Sequence, residues 1–223
     1  MKKLTQSGIT LIELTVVLLI LVALAGLVIP YMGGTSNKAF CDATDLSMQN
    51  IKKTIMDRYY LDTLGQFPVN KGTTEYSLSY LMLQGGWNPY DPQTTIGWRG
   101  PYLMTSATLK SATELSTNLA SDPGTYVHKK FADGDVIIND AWGRPIILQV
   151  PTLTDCQAII PSSPNKEDYC ARLVSAGSGS GLGISEADIE TPLNSTRPSN
   201  SDDRILYLNA PTPVADINSA CVQ

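Results

Sequence analysis

Histidine occurs once, at His128, and the four cysteines, Cys41, Cys156, Cys170 and Cys221, include no CxxC pair. That excludes the ligand clusters of a zinc site and the spacing of a dithiol redox centre. A lone histidine serves a hydrolytic triad only if a serine and an acid converge on it, and nothing in the sequence points to such a convergence. Basic residues are also scarce, 16 against 21 acidic in 223 residues, for a net charge of -5, and they form no cluster that would draw a nucleic-acid backbone. Glycines 177, 179, 181 and 183 fit neither GxGxxG nor GxxxxGK[ST], so no phosphate cradle is indicated. There is no internal repeat.

What the chain does have is one long apolar run. Leu14 to Met32 carries no charge, close to the roughly 20 residues that a membrane-crossing helix needs. Lys2 and Lys3 precede the run and no basic residue follows before Lys38, which orients the N-terminus to the cytoplasm and the body across the membrane. The cysteines then lie in an oxidising compartment, where two disulfides are the simplest account of them. A cleaved secretory signal is the competing reading. Its apolar region is usually shorter and closes on small residues, whereas this run continues through LVIPYMGG. Pro30 and Gly26 predict a bend or a local melt of the helix near the end of the run. One carboxylate, Glu13, stands at its head, where insertion costs roughly 2.5 to 3.5 kcal/mol and therefore signals a function or a partner charge.

KKLTQSG followed by ITLIELTVV resembles the leader and mature N-terminus of type IV pilins and type II secretion pseudopilins: a short basic leader, Gly8, a hydrophobic Ile9, then Thr10, Leu11, Ile12 and Glu13. The family usually has phenylalanine where this chain has Ile9. The resemblance implies cleavage by a prepilin peptidase between Gly8 and Ile9, N-methylation of Ile9, and pairing of Glu13 with the amino group of Ile9 on a neighbouring subunit. Such a pairing would offset two buried charges and fix the register between helices. It divides the chain into a leader (1–8), a transmembrane or filament-core helix (9–33), the amphipathic half of the same helix (34–61) and a periplasmic body (62–223).

The remaining sequence fits that plan as an α+β fold. Phe40, Thr44, Met48, Ile51, Ile55 and Tyr59 recur at helical spacing, with Asp45, Lys52, Lys53 and Asp57 mostly on other faces, which predicts an amphipathic helix lying on a sheet. Residues 62–135 alternate turn signals with short apolar pieces, and TLKSATELSTNLAS suggests a short surface helix. DVIINDAWGRPIILQV, DYCARLVSAG and RILYLNA are rich in β-branched and aromatic residues and predict an antiparallel sheet. GWRGPYL (97–103) and DAWGRPI (140–146) are similar to segments of the major, G-type pseudopilin; Trp98, Tyr102 and Trp142 are read as core aromatics, with Gly and Pro setting turns.

In G-type pseudopilins the glycine- and serine-rich loop corresponding to residues 175–203 binds calcium, and ADI at 187–189 is similar to part of that loop's pattern. By this resemblance Asp188 is the first expected ligand, followed by Asp202, Asp203 and Ser178, the last standing near a usual aspartate. Calcium takes six to eight oxygens, which such a loop can supply. Four cysteines allow three pairings. Cys156 with Cys170 closes a short loop worth roughly 3 kcal/mol, leaving Cys41 for Cys221. A disulfide-bounded loop near the C-terminus leans toward type IV pilins.

The expected function is structural, not enzymatic: a subunit of a periplasmic pseudopilus driving type II protein secretion, or alternatively a type IV pilin or minor pilin serving adhesion, motility or DNA uptake. The implied partners are further copies of the chain and related pilins, the prepilin peptidase, an inner-membrane assembly platform, and membrane lipid before assembly. No nucleic-acid partner is expected.

Overall fold

The structure is a computed structural model that describes residues 11–104, 107–109, 124–164, 166, 168–178, 189–199 and 201–218; within the first helix, side chains are described for 11–24 and from 37 onward. That helix, α1, runs Leu11–Thr54, 44 residues or about 66 Å at 1.5 Å per residue. A single π-helical turn, Ile55–Tyr59, and a short α turn, Tyr60–Asp62, complete it.

The predicted amphipathic face is nearly the one that packs. Thr44, Met48, Ile51, Ile55 and Tyr59 are buried. Phe40 is instead 39% exposed, resting edge-on against Trp142, and Cys41, a helical step of about 100° further round, takes the inward position. The charged flanks are tied as well. Arg204 Nε donates to Asp45 Oδ1 at 2.7 Å, and Lys52 Nζ donates to the Tyr207 carbonyl at 2.7 Å.

The sheet under the helix is antiparallel and three-stranded: β3 (Ile147–Gln149), β4 (Arg172–Ser175) and β5 (Arg204–Tyr207), in that spatial order. All three arise within the segments predicted as strands. Leu148 pairs with Leu173 and Leu173 with Leu206, while Ile147, Val174 and Ile205 form the next row. Alternate rows point to opposite faces. The leucine row meets Met48 and Ile51 of α1 and Ile55 and Tyr59 of the π turn, and the other row meets Cys156, Ile159, Cys170 and Ile189. With both faces covered, β3 and β4 are buried along their whole length.

A second, two-stranded ladder pairs β1 (Ala107–Thr108) with β2 (Val136–Ile137). Thr108, expected to open a surface helix, therefore lies in a strand; residues 110–121 of that expectation fall outside the described residues. A second helix, α2 (Leu153–Ile159), is capped by Thr152, whose hydroxyl accepts from the Asp155 N–H, and it carries Cys156 to its disulfide with Cys170.

The GWRGPYL segment seals the end of the long helix. Arg99 and the Tyr102 hydroxyl both bond the buried Asp62 carboxylate, Tyr102 at 3.0 Å, while the Arg99 guanidinium stacks on Tyr90 at 4.1 Å. Gly97 has φ +122°, and a Cβ there would lie 2.5 Å from the Pro89 carbonyl oxygen, so only glycine permits this approach. Tyr102 is buried as read from the sequence, whereas Trp98 and Trp142 are only partly covered.

Candidate functional site

Two regions carry the features that the sequence singles out: the start of α1 and the loop between β4 and β5. At the first, Leu11, Ile12, Leu14, Val16, Val17, Leu18, Leu19, Ile20, Leu21, Val22 and Leu24 are each at least 50% exposed. Contiguous apolar surface of this kind marks a place that something else covers. Glu13 is exposed within that stretch, and Thr15 Oγ1 donates to the Ile12 carbonyl at 2.9 Å, keeping its hydroxyl satisfied inside the helix. Gly8 and Ile9, the expected processing site, lie outside the described residues. Among the described residues no helix is long and apolar enough to cross a membrane. The apolar side chains described there stop at Leu24, while the expected span extends to Met32.

In the second region the structure divides the expected calcium ligands. Asp188 lies outside the described residues. Ser178 Oγ donates to Asp202 Oδ2 at 2.8 Å. Asp203 is fully buried and turned away from solvent; its Oδ2 accepts from the Thr191 N–H at 2.9 Å and the Thr191 hydroxyl at 2.5 Å, while Oδ1 is buried with no partner among the described residues. Burial, moderated by Thr191, pushes the Asp203 carboxyl up to about 7. Among the described residues no group of three or more His, Cys, Asp or Glu side chains is placed to hold a metal ion.

The described ends of the loop are held by arginines, which motif reading does not single out. Arg144, inside the DAWGRPI segment and only 4% exposed, donates from Nη1 to the carbonyls of Ala176 (3.2 Å) and Gly177 (3.3 Å) and from Nη2 to Ser178 (3.1 Å). Asp140 of the same segment accepts from the Arg144 and Trp142 N–H groups and from the Ser175 hydroxyl at 2.7 Å; burial raises its carboxyl above the ordinary carboxylate value. Arg172, completely buried, donates to Gln149 Oε1 and Tyr207 Oη, both at 2.8 Å, and to the carbonyls of Pro192 (2.7 Å) and Ser195 (2.9 Å). Its charge is balanced by Asp216 at 3.5 Å, also fully buried. Arg197 Nη1 donates to the Asp203 carbonyl at 2.9 Å.

His128 is structural in its contacts. Its Nε2 donates to the Val150 carbonyl at 2.6 Å, Tyr76 packs edge-on against its ring, and burial lowers its pKa below the ordinary imidazole value. Cys156 and Cys170 are joined with 5.4 Å between their Cα atoms. Cys41 is also disulfide-bonded, and Cys221, its expected partner, lies outside the described residues.

No family model, no curated protein and no solved structure matches this chain. The functional reading therefore rests on its own residues.

Proposed function

We propose that the chain is a structural subunit of a pilin-like filament, cut between Gly8 and Ile9, held in the inner membrane by its first helix with its body in the periplasm, and then extracted to stack with other copies through that helix. The observation that carries the reading is the exposed apolar start of α1 with Glu13 inside it, on a helix whose later half is packed into a folded body. In a lipid-filled surrounding Glu13 is costly; against the amino terminus of a neighbouring Ile9 it is compensated. The division at 8, 33 and 61 follows from this reading, as do the partners: the peptidase, the assembly platform, and other subunits. The role is structural, with no reaction assigned to the body.

The favoured machine is a secretion pseudopilus, supported by the GWRGPYL and DAWGRPI segments. The disulfide between Cys156 and Cys170 favours a type IV pilin or minor pilin as the second reading. Neighbouring genes for a secretion ATPase and secretin of one system or the other discriminate between them. The filament reading itself is tested by electron microscopy of cells producing wild-type chain or Glu13→Ala. Filaments that require Glu13 are expected; intact assembly and secretion in the variant would refute it, and a persisting hydrolytic activity would point to a membrane-anchored enzyme.

A further inference from the structure

The loop after β4 begins with three successive carbonyls, from Ala176, Gly177 and Ser178, all facing the Arg144 guanidinium. Converging backbone carbonyls are the kind of oxygen that a hard divalent cation would otherwise collect. We infer that Arg144 acts as a fixed internal cation for the start of this loop, so that Ala176, Gly177 and Ser178 keep their conformation without a divalent metal.

Four further observations support this. The motif that supplies Arg144 also grips the opposite side of the same turn: Asp140 accepts from the Ser175 hydroxyl, whose oxygen in turn accepts the Gly177 N–H at 3.2 Å. The carbonyls of 176–178 thus meet this five-residue segment directly, and the Gly177 N–H is linked to it through the Ser175 hydroxyl. Next, Gly177 has φ +63°, and a Cβ there would fall 2.1 Å from the Asp202 carbonyl oxygen, so the two ends of the loop are in contact with no space for a side chain between them. Two of the three carboxylates expected to bind metal, Asp202 and Asp203, are also engaged, while Asp188 lies outside the described residues. Asp202 receives Ser178, and Asp203 receives both donors of Thr191. Lastly, a divalent ion on the same carbonyls would sit beside a guanidinium that is only 4% exposed, where like charges repel with little screening.

The test uses the full chain in mild detergent, melted by tryptophan fluorescence in excess calcium chloride or in excess chelator, with limited proteolysis read by mass spectrometry. Wild-type midpoints within about 1 °C of each other are expected. Calcium bound at a hundred times its dissociation constant would raise the midpoint by about 5–10 °C, and a rise of that size would overturn the inference. Arg144→Gln is expected to lower the midpoint and to speed cleavage between residues 176 and 203 equally in calcium and in chelator. Arg144→Lys, which keeps the charge but loses the planar fork, is expected to fall between it and wild type. Cleavage of Arg144→Gln at the wild-type rate would also overturn the inference. The calcium comparison on wild type decides without any variant having to fold.

Discussion

Replacing Arg172 by methionine should be among the most damaging single changes in the body, and the structure says by how much. The side chain is fully buried and makes four hydrogen bonds, to Gln149, Tyr207, Pro192 and Ser195, besides its ion pair with Asp216. Methionine occupies a similar volume, so the loss is not mainly a cavity. It is the stranding of Asp216, which is likewise fully buried, and of the acceptors Gln149 Oε1 and the Pro192 and Ser195 carbonyls. Removing one partner of a buried pair costs about 3–5 kcal/mol, because the remaining charge has no compensation. For a chain of this size about 4 kcal/mol corresponds to a fall in melting midpoint of about 8–16 °C. The assay is a double-mutant cycle: wild type, Arg172→Met, Asp216→Asn and the double variant, melted under one condition. Asp216 Oδ1 still accepts the Arg197 N–H and Oδ2 the Tyr207 hydroxyl, and an asparagine keeps only part of this. If the charge pair is the main term, the double variant is more stable than the sum of the single losses predicts, by at least about 2 kcal/mol. Strict additivity, or a loss below about 1 kcal/mol for Arg172→Met, would refute the assignment of Arg172 as the electrostatic centre of the sheet's loop-facing side.

Two other outcomes follow from the same coordinates. The Asp203 carboxyl moves from 3.8 to about 7 on folding, so the folded state binds the extra proton; its contribution to stability is complete below about pH 4 and is lost as pH rises through about 7. Melting midpoints between pH 5 and pH 8 should fall more steeply for wild type than for Asp203→Asn, by up to about 3 kcal/mol in free energy, and parallel profiles would exclude Asp203 as the source. Replacing Cys156 and Cys170 together by serine opens a loop with a sequence separation of 14 and should cost about 3 kcal/mol, read as a lowered midpoint that reductant no longer changes through this bond.

The parts of this fold that could be read from the sequence are those whose signal is local. Helical spacing identified Thr44, Met48, Ile51, Ile55 and Tyr59, because a buried helix face repeats every three to four residues. β-Branched composition located all three strands of the main sheet for a comparable reason. Phe40 was misplaced because spacing alone gives a phase only to within about one residue, and Cys41 lies one step nearer the sheet. The polar ties were not legible. Asp45 meets Arg204 across 159 residues of chain and Lys52 meets the Tyr207 carbonyl across 155, separations at which no periodicity exists to be read. The role of Arg144 is not legible from its motif, since the arginine's acceptors lie more than thirty positions away. A buried arginine among β-branched neighbours was the available signal: DAWGRPIILQV and DYCARLVSAG each carry one, and each turns out to hold the same loop.

The two halves of the long helix make opposite demands on their surroundings. Met48, Ile51, Ile55 and Tyr59 together contribute on the order of 6–12 kcal/mol by leaving water, at about 1.5–3 kcal/mol for each large side chain. Eleven large apolar residues between Leu11 and Leu24 are at least half exposed, and covering half of that exposure on each is worth on the order of 1 kcal/mol per residue, about 10 kcal/mol in all. The two sums are of the same order. Any apolar cover over the first half of the helix would therefore hold it about as firmly as the sheet holds the second half. A load applied to the apolar end must then pass to the body through something other than apolar contact alone, or the helix would peel from the sheet as readily as from its cover. The Asp45–Arg204 and Lys52–Tyr207 ties lie on the flanks of the packed half and join the helix directly to β5, the strand that follows the clamped loop. In a filament pulled by its core, those two ties and the Arg144 clamp behind them are where the body would resist extraction from its own helix.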